Sequence, residues 1–208
     1  MCRLRGFTIV ELLVTLCIIG ILAGLLLPVY MRARASARRA VCVTHISEIV
    51  KAARMYADDY DRTMVPARIA YTGFGTKGIT WCVLIQPYLG SEQILVCADD
   101  SNPQASSSST CLPHSFGLNY SLSFNSTSSS VPMTLPISAI QQPSDTIMFF
   151  EIKGSAQAMG MGIYDQGTSR IDFRHGGLGN FAYVDGHVKG MRINSVRNWA
   201  LWDPFYTR

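Results

Sequence analysis

A long apolar run near the N-terminus constrains this chain more than any other feature of its sequence. Residues 7–29 contain a single charged side chain, that of Glu11, and arginines lie on both sides of the run. A helix of this length rises about 35 Å, which is enough to cross the hydrocarbon core of a bilayer. Because a carboxylate within hydrocarbon is costly, such a helix requires a partner for Glu11.

Two general explanations of the run are incomplete. A secretory signal peptide cleaved near Ala35 or Ala37 would release a periplasmic or secreted binding protein. However, the run is longer than the usual apolar core of about 7–15 residues, and arginines surround both cleavage positions. A plain membrane anchor fits the length but assigns no role to Glu11.

The residues around Glu11 support a third explanation. Residues 6–13 are Gly-Phe-Thr-Ile-Val-Glu-Leu-Leu, and this string resembles the N-terminal signal of type IV pilins and type II secretion pseudopilins. The resemblance implies cleavage between Gly6 and Phe7 by a prepilin peptidase, and N-methylation of the new amino terminus of Phe7. It also implies that Glu11 meets the amino terminus of a neighbouring subunit during assembly. Such pairing is physically reasonable, because a cation makes a buried carboxylate tolerable.

The same resemblance implies where the protein acts and with which partners. These partners would be a prepilin peptidase that is also the N-methyltransferase, other pilin or pseudopilin subunits in a homo- or heteropolymer, and an inner-membrane assembly platform. The chain would cross the bacterial inner membrane once, with its head outside the cytoplasm, and then enter an extracytoplasmic filament. This orientation comes from the resemblance alone, since more basic residues follow the run than precede it.

Apolar side chains continue at helical spacing beyond the membrane run and predict an amphipathic extension of the same helix. They are Ile46, Ile49, Val50, Ala53, Tyr56, Ala57 and Tyr60. Acidic residues at positions 58, 59 and 61 oppose the helix dipole and Pro66 prevents much continuation, so one helix is predicted over residues 7–60. The predicted organisation is a leader (1–6), a transmembrane or filament-core helix (7–30), its amphipathic extension (31–62) and a globular head (63–208).

The head has short segments of strand character and one clear hairpin. Asp185 and Gly186 lie between two alternating runs and predict a tight turn, because such a turn needs positive φ. Strands are predicted at residues 94–97, 116–124, 146–152, 170–173, 180–184 and 187–193, and a short helix at 81–89. The predicted fold class is α+β, with a long N-terminal hydrophobic helix packed against a small antiparallel β-sheet.

His175 adds a second resemblance. Nine residues separate it from Asp185 and Gly186, and this H-X9-DG motif is similar to the one at the C-terminus of a large group of bacterial pilin-like proteins. Two roles are open for it. In the role that we favour, Asp185 makes the turn and His175 hydrogen-bonds across it to hold the hairpin. In the other, His175, Asp185 and His187 bind a metal ion in a membrane-tethered periplasmic metal-binding or enzymatic module.

The rest of the sequence argues against catalysis and nucleic-acid binding. It contains no nucleophile elbow, phosphate-binding loop or catalytic dyad, and its net charge of +4 comes without a basic block that includes aromatic residues. Asp99, Asp100, Ser101 and Asn102 offer oxygens to calcium, but their consecutive spacing does not match an alternating ligand loop. We therefore expect a structural protein and not an enzyme, with no cofactor, no resident metal and no nucleic-acid partner.

The cysteines predict disulfides in the head. Of the six cysteines, one leaves with the leader and one lies in the apolar run. The other four would lie in an oxidising compartment, and they are Cys42, Cys82, Cys97 and Cys111. Four cysteines allow three pairings. We predict Cys97–Cys111, because this bond would close the serine-rich loop between them and stabilise the fold by about 3 kcal/mol in the chain-entropy model.

Overall fold

The computed structural model describes residues 8–70, 78–103, 112–122, 134–153, 161–162, 170–197 and 199–205. Three of the predicted site residues, Gly6, Phe7 and Cys111, lie outside the described residues. The chain divides into two compact units, Met1–Arg38 and Arg39–Arg208. The first of the helices, α1, spans Ile9–Asp59 and contributes residues to both units.

Helix α1 confirms the predicted N-terminal helix within the described residues, and it continues through Pro28. In the first unit, the side chains of residues 8–37 are exposed on all sides of the helix. This part of α1 is long and apolar enough to cross a membrane. Exposed apolar surface of this extent indicates a segment that is covered by lipid or by other protein chains.

In the second unit, α1 packs an apolar stripe into the core of the head. The buried residues of the stripe are Cys42, Ile46, Ile49, Val50, Ala52, Ala53, Tyr56 and Ala57. The predicted stripe is confirmed except at Tyr60, which follows the last helical residue and is 53% exposed. The chain then leaves the helix through Asp61 and Arg62, whose φ angles are +50° and +57°.

Within the described residues, the strands of the head form two sheets. Strands β1 (Arg68–Ala70) and β2 (Gly78–Thr80) make a separate antiparallel pair. The main sheet contains β3 (Phe116–Asn119), β4 (Ile147–Glu151), β5 (Met161–Gly162), β6 (Gly179–Tyr183) and β7 (Val188–Met191). Its order is β5-β3-β4-β6-β7, with β5 parallel to β3 and the other neighbours antiparallel. The predicted α+β class, the strand within residues 146–152 and the hairpin around Asp185 are confirmed.

Both faces of β3, β4 and β6 are buried, which explains why β4 is an almost continuous apolar run. Phe149 and Ala182 belong to the core that contains the apolar stripe of α1. Phe150 and Phe181 point into a second core, where they contact Trp202 from the C-terminal segment. The sheet therefore lies between α1 and the last residues that the structure describes.

Three predicted strands differ from the structure. The strand predicted at residues 94–97 is wrong, because Glu92–Leu95 forms a 3-10 helix that Ser91 caps with its side chain. A short buried apolar run does not by itself distinguish a strand from a helical turn. Strand β3 ends earlier than predicted and continues into a 3-10 helix at Tyr120–Leu122. Near residue 171, the chain makes an isolated bridge and not a strand.

The remaining helices are short. The helix predicted over residues 81–89 is confirmed as α2 (Trp81–Leu84) followed by a 3-10 helix at Gln86–Tyr88. Helix α3 (Ile193–Val196) and a 3-10 helix at Trp199–Leu201 carry the C-terminal segment over the second core.

Candidate functional site

The first turn of α1 contains a hydrogen-bonded cap formed by Thr8 and Glu11. The backbone N–H of Thr8 donates to Glu11 Oε2 at 2.9 Å, and Thr8 Oγ1 donates to the same oxygen at 2.8 Å. In return, the backbone N–H of Glu11 donates to Thr8 Oγ1 at 3.2 Å. This arrangement is a capping box, which satisfies two N–H groups at the start of a helix. The role was not predicted, although Thr-x-x-Glu before an apolar run is its sequence signal.

The cap holds the carboxylate of Glu11 at the N-terminal end of α1, where the helix dipole favours negative charge. Glu11 is the only Asp, Glu, Lys or Arg between residues 9 and 31 of the sequence. The first unit therefore presents one acidic group at the end of a long apolar surface.

A second candidate site lies inside the head and is centred on His175. The loop that carries His175 turns through Gly176 and Gly177, whose φ angles of +66° and +83° favour glycine. His175 Nε2 lies 2.9 Å from Glu151 Oε1, and His175 Nδ1 lies 3.1 Å from Asp99 Oδ2. The side chain of His175 is 1% exposed. The imidazole ring is thus held between two carboxylates and away from water.

Glu151, the last residue of β4, is completely buried, and its two oxygens are both hydrogen-bonded. Glu151 Oε2 accepts from the backbone N–H of Asn180 at 3.0 Å, and Oε1 accepts from Asn180 Nδ2 at 3.0 Å. Arg39 Nε, from α1, donates to Asn180 Oδ1 at 3.5 Å. A buried carboxylate is costly unless it is paired, so His175 and Asn180 are the residues that allow Glu151 to occupy this position.

A disulfide between Cys42 and Cys97 lies beside this polar group. Its Cα atoms are 5.3 Å apart, and it joins α1 to the segment that follows the Glu92–Leu95 helix. The predicted Cys97–Cys111 pairing is therefore wrong, because Cys97 is already bonded to Cys42. That prediction used proximity along the chain, whereas packing of the α1 stripe brings Cys42 to Cys97 across 55 residues. Among the described residues, Cys17 and Cys82 take part in no disulfide.

The consecutive acids near this disulfide are paired with basic side chains of the protein. Asp99 faces His175, and Asp100 Oδ2 lies 2.8 Å from Arg174 Nη1. Burial raises the pKa of Asp100, but hydrogen bonds from Ser115 and Arg174 outweigh burial, so the pKa lies below its ordinary value. Arg174 also pairs with Asp172 Oδ2 at 2.9 Å. These contacts engage both carboxylates of the four residues that the sequence suggested for calcium.

The hairpin part of the H-X9-DG motif forms a separate, exposed turn between β6 and β7. Gly186 has a φ of +100°, and Asp185 Oδ1 accepts from the backbone N–H of His187 at 3.1 Å and lies 2.7 Å from His187 Nδ1. Arg54 Nη2, from α1, donates to the carbonyl of Val184 at 2.9 Å. The Asp-Gly turn is confirmed, and it is fastened to α1 by an arginine.

The role that we favoured for His175 is wrong, because His175 contacts other residues than the predicted ones. His175 contacts Glu151 and Asp99, which lie on other segments of the head, and does not hold the turn at Asp185. The ring is buried, whereas the Asp185–His187 pair is exposed, so the three residues do not form one metal site. In the described part of the chain, the potential metal ligands that converge are instead Cys42, Cys97, Glu151 and His175.

Comparison with known proteins confirms the resemblance of the N-terminus to type IV pilins. The family model of the prokaryotic N-terminal methylation motif matches residues 1–27. The chain is also similar to the type IV wide pilus major component PilA4 of Thermus thermophilus, with 40% identity over 55 residues. This match covers 26% of the chain and 42% of the relative, so it spans less than half of either protein. No solved structure matches the chain.

Proposed function

We propose that this chain is a structural subunit of a type IV pilus-like filament or of a type II secretion pseudopilus. The observation that carries this proposal is the first part of α1, which is apolar, exposed on all sides and matched by the methylation motif. An apolar surface of this extent is stable in lipid before assembly and against other apolar helices after it. The subunit therefore waits in the inner membrane and moves into a filament outside the cytoplasm.

Processing precedes assembly in this proposal. A prepilin peptidase cleaves between Gly6 and Phe7, on the cytoplasmic side of the membrane, and methylates the new amino terminus of Phe7. The match of the methylation motif to residues 1–27 supports this step. After cleavage the chain would begin one residue before Thr8, which the capping box ties to Glu11.

Assembly then joins Glu11 of one subunit to the amino terminus of Phe7 of its neighbour. The carboxylate already accepts two hydrogen bonds from Thr8, and both come from neutral groups. An ammonium group is a stronger partner for a carboxylate, particularly where apolar helices exclude water. Helices packed around such pairs would form the filament core, with the heads outside and an inner-membrane platform as the assembly partner.

The head has a structural role in this proposal and no enzymatic one. The alternative function relied on His175, Asp185 and His187 acting together. In the structure, His175 is buried between carboxylates, and the other two form an exposed pair at a turn. The contacts of Arg39 and Arg54 with Asn180 and Val184 support a head that is held firmly on the part of α1 that belongs to the second unit.

The mature N-terminus tests the processing step. Mass spectrometry of the protein isolated from bacterial inner membranes is expected to find a chain that begins with N-methylated Phe7. A mature terminus near Arg38 would instead identify cleavage by an ordinary signal peptidase and would refute the proposed function.

The assembly step is tested by Glu11→Ala, with Glu48→Ala as a matched loss of a carboxylate elsewhere on α1. Removing one partner of a buried charge pair costs about 3 kcal/mol or more, so incorporation of Glu11→Ala into sheared filaments should fall by more than about tenfold. Cleavage and methylation should remain, and Glu48→Ala should assemble normally. Normal filaments from Glu11→Ala would exclude the docking role.

A further inference from the structure

Four potential metal ligands converge in the core of the head, although the sequence predicted no resident metal. Cys42 Sγ, Cys97 Sγ, Glu151 Oε1 and a ring nitrogen of His175 all lie within 4.8 Å of one another, and all four residues are buried. They come from α1, from the segment after the Glu92–Leu95 helix, from the end of β4 and from the loop before β6. The fold therefore brings them together from distant parts of the chain.

The ligand types favour zinc over harder cations. Two thiolates, one imidazole and one carboxylate are groups that bind Zn²⁺ in tetrahedral sites, whereas calcium and magnesium prefer oxygen alone. Bond lengths of about 2.0–2.3 Å place tetrahedral ligands about 3.3–3.8 Å apart. His175 Nε2 lies 3.6 Å from Cys97 Sγ and 2.9 Å from Glu151 Oε1. The first separation lies within this range, whereas the second must lengthen by about 0.4 Å, and the two bonded sulfurs must move apart once the disulfide is reduced.

The groups around the four ligands resemble the supporting contacts of metal sites. Asp99 Oδ2 lies 3.1 Å from His175 Nδ1, near enough for an ion-pair contact although the two atoms do not meet hydrogen-bond geometry, and a proton on Nδ1 would leave the Nε2 lone pair for a metal ion. Asn180 donates to both oxygens of Glu151 and so fixes the orientation of the carboxylate. The imidazole and the carboxylate are thus both held in place before any ion binds.

We propose that reduction of the Cys42–Cys97 disulfide converts this cluster into a zinc site. A dithiol reductant supplies two electrons and two protons, its own sulfurs become a disulfide, and Cys42 and Cys97 become thiols. Zinc then binds both sulfurs as thiolates, together with His175 Nε2 and a Glu151 oxygen, and the displaced protons pass to water. Because the same two sulfurs form the disulfide, the oxidised form and the zinc form exclude each other.

The consequence is that one cluster joins α1 to the sheet under two redox conditions. In an oxidising compartment the covalent bond links Cys42 to Cys97. Under reducing conditions the zinc ion would link the same two residues to Glu151 and His175. This inference does not depend on filament assembly, so it stands or falls separately from the proposed function.

The test compares zinc content in the oxidised and reduced full chain, purified in detergent micelles and freed of metal. Tris(2-carboxyethyl)phosphine serves as the reductant because it binds zinc weakly, and it takes oxygen from water as it becomes the phosphine oxide. After addition of zinc and gel filtration, elemental analysis is expected to find one zinc per reduced chain and none per oxidised chain. With cobalt in place of zinc, a sulfur-to-cobalt charge-transfer band is expected in the reduced protein.

Variants identify the ligands. Cys42→Ser and His175→Ala should lose the zinc and the cobalt band, whereas the matched controls Cys82→Ser and His187→Ala should keep both. Tryptophan fluorescence checks that each variant is folded, and the wild-type comparison needs no substitution. A folded, reduced wild-type chain that binds no zinc would overturn the proposal. So would equal zinc content in the oxidised chain, or loss of zinc in Cys82→Ser.

Discussion

Removal of the Cys42–Cys97 disulfide is the perturbation whose effect the structure predicts most directly. The bond joins residues 55 positions apart and links α1 to the segment beside the sheet. In the chain-entropy model, a closed loop of this size stabilises the folded state by about 4 kcal/mol, because it restricts the unfolded chain. We expect Cys42→Ala/Cys97→Ala to lower the free energy of unfolding by about that amount. The double substitution leaves no thiol of the pair behind.

Tryptophan fluorescence isolates the head in this experiment. The three tryptophans lie at positions 81, 199 and 202, and the apolar run contains none. Trp81 is completely buried in the core that α1 shares with the sheet. Urea unfolding of the full chain in detergent micelles, followed by this fluorescence, therefore reports on the head alone. A metal chelator in all samples prevents zinc from stabilising the reduced protein.

Two comparisons decide the outcome. The wild type reduced with a phosphine should unfold at the same urea concentration as the double variant, and Cys17→Ala should match the oxidised wild type because Cys17 is exposed in the apolar helix. A double variant within about 1 kcal/mol of the oxidised wild type would refute the loop-closure reasoning.

Two further predictions concern the β6–β7 hairpin. Gly186→Ala should lower the free energy of unfolding of the head, measured in urea, by about 1–3 kcal/mol, because Gly186 has a φ of +100°. Gly90→Ala is the control, and an equal effect of this substitution would contradict the explanation. Burial, with smaller effects of Asp145 and Asp185, raises the pKa of Tyr183 from 10.0 to about 12. The neutral phenol therefore stabilises the fold fully below pH 10, and this contribution is lost as the pH rises through about 12. Between pH 10 and about 12, the free energy of unfolding of Tyr183→Phe should fall less steeply with pH than that of the wild type. Equal slopes in the two proteins would show that Tyr183 does not contribute to this pH dependence.

Structural features that depend only on residues close together in the chain were predictable from the sequence. The apolar run and the helical stripe from Ile46 to Ala57 predicted α1, because an amphipathic helix is recognised by local spacing. The Asp185–Gly186 turn was predictable for the same reason, since its backbone conformation is a local property. The capping box at Thr8 and Glu11 has an equally local signal, so sequence analysis could have found it.

The contacts inside the head were decided by tertiary structure. Proximity along the chain favoured Cys111 as the partner of Cys97 and the nearby hairpin turn as the partner of His175. Instead, Cys97 bonds to Cys42 and His175 contacts Glu151, because α1, β4 and the loop before β6 pack side by side. A disulfide or a buried hydrogen bond depends on distances of a few ångströms between elements that the chain order separates widely. The local pattern of residues determined which helices and turns form, whereas only packing determined which side chains meet.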